Sequence, residues 1–216
     1  MVFKRLNFWL KRNLRGQSFV ELTLIFTLLL LILAGTVEFG ILFNKYINIV
    51  DATREGARFG SLHDPFIRQP ITNDDGSITC PNASTTFCVD QSFFVQIADV
   101  SVGALSPIKL DPAKDDIVIS FFSVVGSGPT ILRYPNNSYY SLYNHFGSSF
   151  TSADILSRLT SGAPNTGVLV VEIYYYYHQA LGLPFFTDFV PDPILVKTYA
   201  IMPLSAAEPT PTPLPP

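Results

Sequence analysis

RGQSFVELTLIFTLLLLILAGTVEFGILF, residues 15–43, decides the architecture of this 216-residue chain. Leu22 to Val37 carries no charge, and the apolar character reaches back to Phe19 and forward, past Glu38, to Phe43. At ~1.5 Å per helical residue, Phe19 to Phe43 spans roughly 37 Å, enough to cross a ~30 Å hydrocarbon core with some tilt. Upstream lie Lys4, Arg5, Lys11, Arg12 and Arg15 with no acid among the first sixteen residues. Cations beside an apolar run fix its direction, so the N-terminus is expected in the cytoplasm and the remainder outside. A cleaved secretory signal fits poorly. Its apolar region is usually ~7–15 residues and ends at small residues, whereas Glu38-Phe-Gly-Ile-Leu-Phe follows here.

The basic leader hides an acidic body. Without its five cations, nine of the 14 basic residues remain against 17 acidic ones, a net of −8. That balance excludes nucleic acid as a partner, since nucleic-acid binding needs a basic footprint. Membrane lipid is the partner that the leader and span call for.

The span is expected to continue as a helix beyond the bilayer. Asn44 to Phe59 contains no proline, and Asp51, Arg54, Glu55 and Arg58 fall three and four residues apart, where helix side chains meet. Ala52, Gly56 and Gly60 recur every fourth residue and leave one side nearly bare. Glycine costs ~1 kcal/mol against alanine inside a helix, so a reason is wanted. Close approach of a sheet or second helix is one reading, and fraying toward Gly60 is the other.

Glu21 opens the apolar run, and ionisable residues at membrane depth are functional candidates by default. It lies five residues after Gly16, directly downstream of the leader. Arg15-Gly-Gln-Ser-Phe-Val-Glu-Leu22 resembles the processing site of type IV pilin-like proteins. Taken with Glu38-Phe-Gly40 and with Ala52, Arg54, Ala57 and Arg58 in the helix extension, the order resembles the TadE family. Those are pseudopilins of the tight-adherence (Tad, or Flp) pilus. The resemblance covers about residues 15–60 and is loose beyond them.

It implies a single-pass, minor pilin or pseudopilin that a prepilin peptidase cuts between Gly16 and Gln17. It further implies partners among the other Tad pilins and the inner-membrane assembly proteins, with roles in pilus assembly and adhesion. Glu21 would pair with the new Gln17 amine of a neighbour, because buried charge needs a partner. A solvated Glu21 at headgroup depth is the plainer reading. Leu22 stands where major Flp pilins usually carry Tyr, and a large domain follows, which points away from the bulk subunit. Glu38, roughly 25 Å along the helix from Glu21, is expected near the outer interface. There it would be solvated, with Lys45 as partner and Tyr46 in the aromatic belt.

The fold class expected is α+β, pilin-like: a long N-terminal transmembrane helix, then a small antiparallel sheet. The organisation reads as a leader (1–16), helix and extension (17–60), outer domain (61–205) and a Pro/Thr-rich tail (206–216) in extended or disordered form. Residues 61–90 hold loop chemistry. Asn73-Asp-Asp-Gly76 is a turn and no calcium loop, because Ile71 would occupy the first ligand position. Cys80 and Cys88, eight apart and outside the cytoplasm, are expected to pair. Closing so short a loop would contribute ~2–3 kcal/mol.

Asp116–Val125, Val168–Tyr177 and Ile194–Met202 read as strands from their β-branched and aromatic content. Phe93–Val102 reads as a further strand, with an edge helix as the alternative. Ser152–Leu159 reads as a short helix capped by Ser152. Ala180–Pro193 is a hydrophobic loop. Tyr174–Tyr177 should send two rings to each face, the outward pair forming a platform or packing under Phe185–Phe189. His63, His145 and His178 show no metal spacing, and no catalytic elbow or P-loop occurs. No enzyme, metal or cofactor is implied. A tethered binding module, neither processed nor assembled, stays open on the residues alone.

Overall fold

The computed structural model describes residues 14–67, 88–124, 131–159, 166–182 and 190–207. Helix α1 runs unbroken from Leu14 to Ser61, 48 residues. Its first half presents Phe19, Leu22, Leu24, Ile25 and their neighbours to the surroundings on every side, and it is long and apolar enough to cross a membrane. Its second half is one-sided. Ile49, Ala52, Thr53, Gly56, Ala57 and Gly60 are buried, a spacing of three and four that defines a single helical stripe.

After α1, the two-residue strands β1 (Phe66–Ile67) and β2 (Cys88–Val89) pair antiparallel. Helix α2 (Gln91–Ala104) begins at Asp90, whose carboxylate accepts from the Ser92 N–H at 2.8 Å. The strand reading of Phe93–Val102 is therefore corrected to its alternative, a helix. Phe93, Phe94, Ile97, Ala98 and Ser101 are buried while Val95 and Gln96 are exposed. Burial thus repeats with the helical period and not in alternation.

The sheet contains β3 (Asp116–Val124), β4 (Ile131–Tyr134), β5 (Tyr140–Ser141), β6 (Thr166–Tyr177) and β7 (Ile194–Pro203). Its order is β4-β3-β6-β7, with β5 also on β3, and every pairing is antiparallel. The architecture is α+β, as expected: an apolar N-terminal helix followed by a small antiparallel sheet.

Both faces of β3 and β6 are covered, which is why these strands read as near-continuous apolar runs. Ile117, Ile119 and Phe121 join Leu169, Val171 and Ile173 on the face that meets α1 and α2. Phe122, Val124, Val168 and Val170 face the other way, beneath Phe150 and Ile155. Ile155 belongs to α3 (Ser152–Arg158). The cap of α3 is Thr151, one residue before the expected Ser152. Thr151 Oγ1 accepts from the Asp154 N–H, and the Asp154 carboxylate accepts from the Thr151 N–H at 2.8 Å, a reciprocal capping box.

Asn73–Gly76, Cys80, Phe185–Phe189 and the tail 208–216 lie outside the described residues, and so does the side chain of Cys88. The expected pairing of the two cysteines therefore lies outside the described residues as well.

Candidate functional site: the helix and its junction with the sheet

Gly16 and Gln17 lie within the helical backbone of α1. Glu21 follows one turn later on an exposed stretch. Thr23, Thr27 and Thr36 turn their hydroxyls back onto the carbonyls four residues earlier. Their polar atoms are thereby satisfied within the helix, as an apolar medium requires.

The stripe on the upper half of α1 explains its small residues. A methyl group built on Gly56 would stand 1.9 Å from Ser101 Oγ, and one on Gly60 would stand 2.5 Å from both Ile97 and Leu169. Side chains of α2 and β6 therefore press directly on the backbone of α1, and fraying is not the reason for these glycines. Ala52 and Ala57 are fully buried in the same contact. Thr53 lies among them, its Oγ1 bonded to the Ile49 carbonyl and 2.7 Å from Thr198 Oγ1 on β7. The two arginines face outward. Arg58 holds Glu55 with two hydrogen bonds, at 2.7 and 3.0 Å, and Arg54 lies 3.8 Å from Asp51. These exposed pairs follow the spacing and support the helix only weakly.

Glu38 departs most from expectation. Lys45 acts on it by charge, but the three hydrogen bonds that Glu38 accepts come from the end of β6 and the turn after it. Tyr177 Oη donates at 2.5 Å, the Ala180 N–H at 2.8 Å and the Leu181 N–H at 2.9 Å. Lys45 instead lies 3.4 Å from Tyr175 Oη and 5.1 Å from the centre of the Tyr177 ring, an arrangement that favours the ammonium over the ring face. Burial, and then the bond to Glu38, push the Tyr177 phenol well above its ordinary range, so it stays a donor. Two signals for this junction lay in the sequence, a carboxylate inside an apolar run and a four-tyrosine strand. Their meeting across 139 residues of chain did not.

The far face of the sheet carries two buried carboxylates that sequence reasoning missed. Asp116 accepts from the Ile117, Tyr143, His145 and Phe146 N–H groups and from Ser141 Oγ. Glu172 accepts from Ser149 N–H and Oγ and from Tyr174 Oη, with Lys197 Nζ 3.5 Å away. Together they pin residues 141–149 across the sheet. Tyr174 stacks on Phe146 at 4.4 Å, and burial, reinforced by the charge of Glu172, pushes its phenol up to about 12. Tyr174, Tyr175 and Tyr177 are buried, so the run is no exposed platform. Among the described residues, loop 141–149 covers its outer pair, with Phe146 against Tyr174 and Tyr176.

The histidines are engaged separately. His63 stacks on Phe59, His145 Nε2 meets the Pro112 carbonyl at 2.8 Å, and His178 pairs with Asp192 at 3.4 Å. Among the described residues, no three His, Cys, Asp or Glu gather in a metal-holding group.

An apolar helix that leaves its first half bare and fastens its second half to a small sheet defines an α+β protein whose N-terminal helix is long and apolar enough to cross a membrane. Residues 16–58 match the family model of TadE-like proteins. The match begins at the glycine of the processing-site resemblance and ends at Arg58, so this segment is similar to TadE-like proteins. The family is associated with the Tad pilus. No curated protein and no solved structure matches the chain.

Proposed function

We propose that the protein is a minor pilin or pseudopilin of a Tad pilus, inserted in the membrane with its leader in the cytoplasm and its sheet domain outside. A prepilin peptidase cuts between Gly16 and Gln17 and removes the cationic leader. The product then begins with an amine four residues before Glu21. That carboxylate, at the start of an apolar rod, pairs with the amine of a neighbouring subunit as helices bundle, because charge buried among helices needs a partner. The partners are the other Tad pilins and the inner-membrane assembly proteins, and the outcome is pilus assembly and adhesion.

The observation that carries this reading is the family match, which starts at Gly16 and takes in Glu21, Glu38 and Ala52–Arg58 as one unit. The bare lower half of α1 supports it, since Phe19 to Leu33 are exposed on every side and so available to neighbours and lipid.

Mass spectrometry of the protein from its native membrane tests the proposal. A mature N-terminus at Gln17 is expected, together with accumulation of uncut chain after a Gly16 substitution. A native pool that retains the leader, or normal pili after deletion of the gene, overturns it.

A further inference from the structure

The contacts along α1 fix the direction of the sheet. Glu38 meets Tyr177, Ala180 and Leu181. Thr53, fifteen residues higher, meets Thr198, which is paired with Ile173. Gly60 faces Leu169. As α1 climbs, its partner on β6 moves back from residue 177 to residue 169. Strand β6 therefore runs down alongside α1, and β7 climbs in parallel with it. The residues just after β6, Ala180 and Leu181, lie at the level of Glu38.

That level lies inside the apolar run. Above Glu38 come Phe39 and Phe43, both exposed, their rings 6.3 Å apart on the outer side of the helix. Glu38 to Phe43 is about 7 Å of helix, so a hydrocarbon boundary near Phe43 leaves Glu38 and the 180–181 backbone below it. At that depth unpaired N–H groups and an unpaired carboxylate are each expensive. Here they satisfy one another. The apolar side chain is left outside this knot: Leu181 is 43% exposed.

We propose that the turn after β6 is a second membrane contact, seated just inside the acyl–headgroup boundary of a phospholipid bilayer. Leu181 touches lipid, and Glu38 is the positioning residue that holds the turn at that depth. The sheet domain is thus set at a fixed height on the membrane and does not sway on the helix. The inference rests on α1 spanning the bilayer, and the test separates the two.

The full chain with Trp9→Phe, which removes the native tryptophan, receives a single reporter, Leu181→Trp or Leu30→Trp. Each is placed in phosphatidylcholine–phosphatidylglycerol nanodiscs containing lipid brominated either near the headgroup or deep in the chains. Deep bromine should quench the Leu30 reporter. Shallow bromine should quench the Leu181 reporter, with at least about a twofold loss of emission, since indole settles at the interface. Quenching at Leu30 with none at Leu181 overturns the inference and leaves the span intact. Absence of quenching at both overturns the span and the inference with it. In a Glu38→Ala background the Leu181 signal should fall while that at Leu30 stays, and an unchanged Leu181 signal overturns the role given to Glu38. Hydroxyl-radical footprinting of the unsubstituted chain needs no variant to fold. In nanodiscs Leu181 should oxidise several-fold less than Leu132, which is 48% exposed on β4, and equal oxidation overturns the proposal.

Discussion

Gly56→Ala isolates the closest approach in the molecule. In an exposed helix the change should stabilise by up to ~1 kcal/mol, because alanine restricts the unfolded chain and favours the helix. At position 56 the new methyl meets Ser101 Oγ at 1.9 Å, with Ser101 Cβ at 3.3 Å and the Ile97 carbonyl at 3.4 Å behind it. The hydroxyl must swing away, which breaks its 2.8 Å bond to the Ile97 carbonyl in a fully buried place.

A buried hydroxyl deprived of its partner costs ~1–3 kcal/mol, and the remaining crowding adds ~1–3 kcal/mol if α1 and α2 separate slightly. Against the propensity gain of ~1 kcal/mol, a net loss of ~1–5 kcal/mol is expected. Gly40→Ala is the internal control, because nothing lies within 4 Å of its added carbon. Urea unfolding of the full chain in mild detergent, followed by the near-ultraviolet circular dichroism of the tyrosine-rich core, measures both. Ser101→Ala removes the clashing oxygen, so the double variant should recover at least ~1 kcal/mol relative to Gly56→Ala alone. Equal stability of the Gly56 and Gly40 variants, or strict additivity with Ser101→Ala, would refute the packing argument.

Two further outcomes follow from the buried polar groups. Asp116→Ala strands five donors at once and should destabilise by more than ~3 kcal/mol, with faster amide exchange at Tyr143, His145 and Phe146; unchanged exchange there would show that the loop is held by something else. Tyr174 gives a pH dependence. Its folded phenol is pushed up to about 12 by burial and then by Glu172, whereas the unfolded phenol titrates near ~10. The folded state therefore keeps a proton that the unfolded state releases, so this contribution is whole below pH ~10 and is lost as pH rises through about 12. Tyr174→Phe should flatten that alkaline decline in stability, and a variant curve parallel to the parent would count against the assignment.

Much of this protein could be read from its residues in order. Strands β3 and β6 were legible because a sheet buried on both faces selects β-branched and aromatic residues without interruption, and β7 because its buried residues Val196, Thr198 and Ala200 alternate with exposed ones. Helix α2 was the near miss. Phe93–Val102 is as apolar as a strand, and only the burial of residues 93, 94, 97, 98 and 101 on one side settles its period. The cap of α3 slipped by one residue because Thr151 and Ser152 are both competent caps. The choice between them rests on the reciprocal bond with Asp154, three residues after Thr151.

What the chain settles by local chemistry alone is its long greasy helix, the cationic leader before it, the small-residue stripe above it and the class of domain that follows. Each depends on neighbours within a few turns or on a pattern repeated along one strand. The fate of Glu38, the purpose of Gly56 and the concealment of the tyrosine run depend on partners 23 to 143 residues away. Hydrogen-bond and contact complementarity at such separations has no periodicity to betray it. Only the folded arrangement of α1 against α2, β6 and β7 decides which donor meets which acceptor.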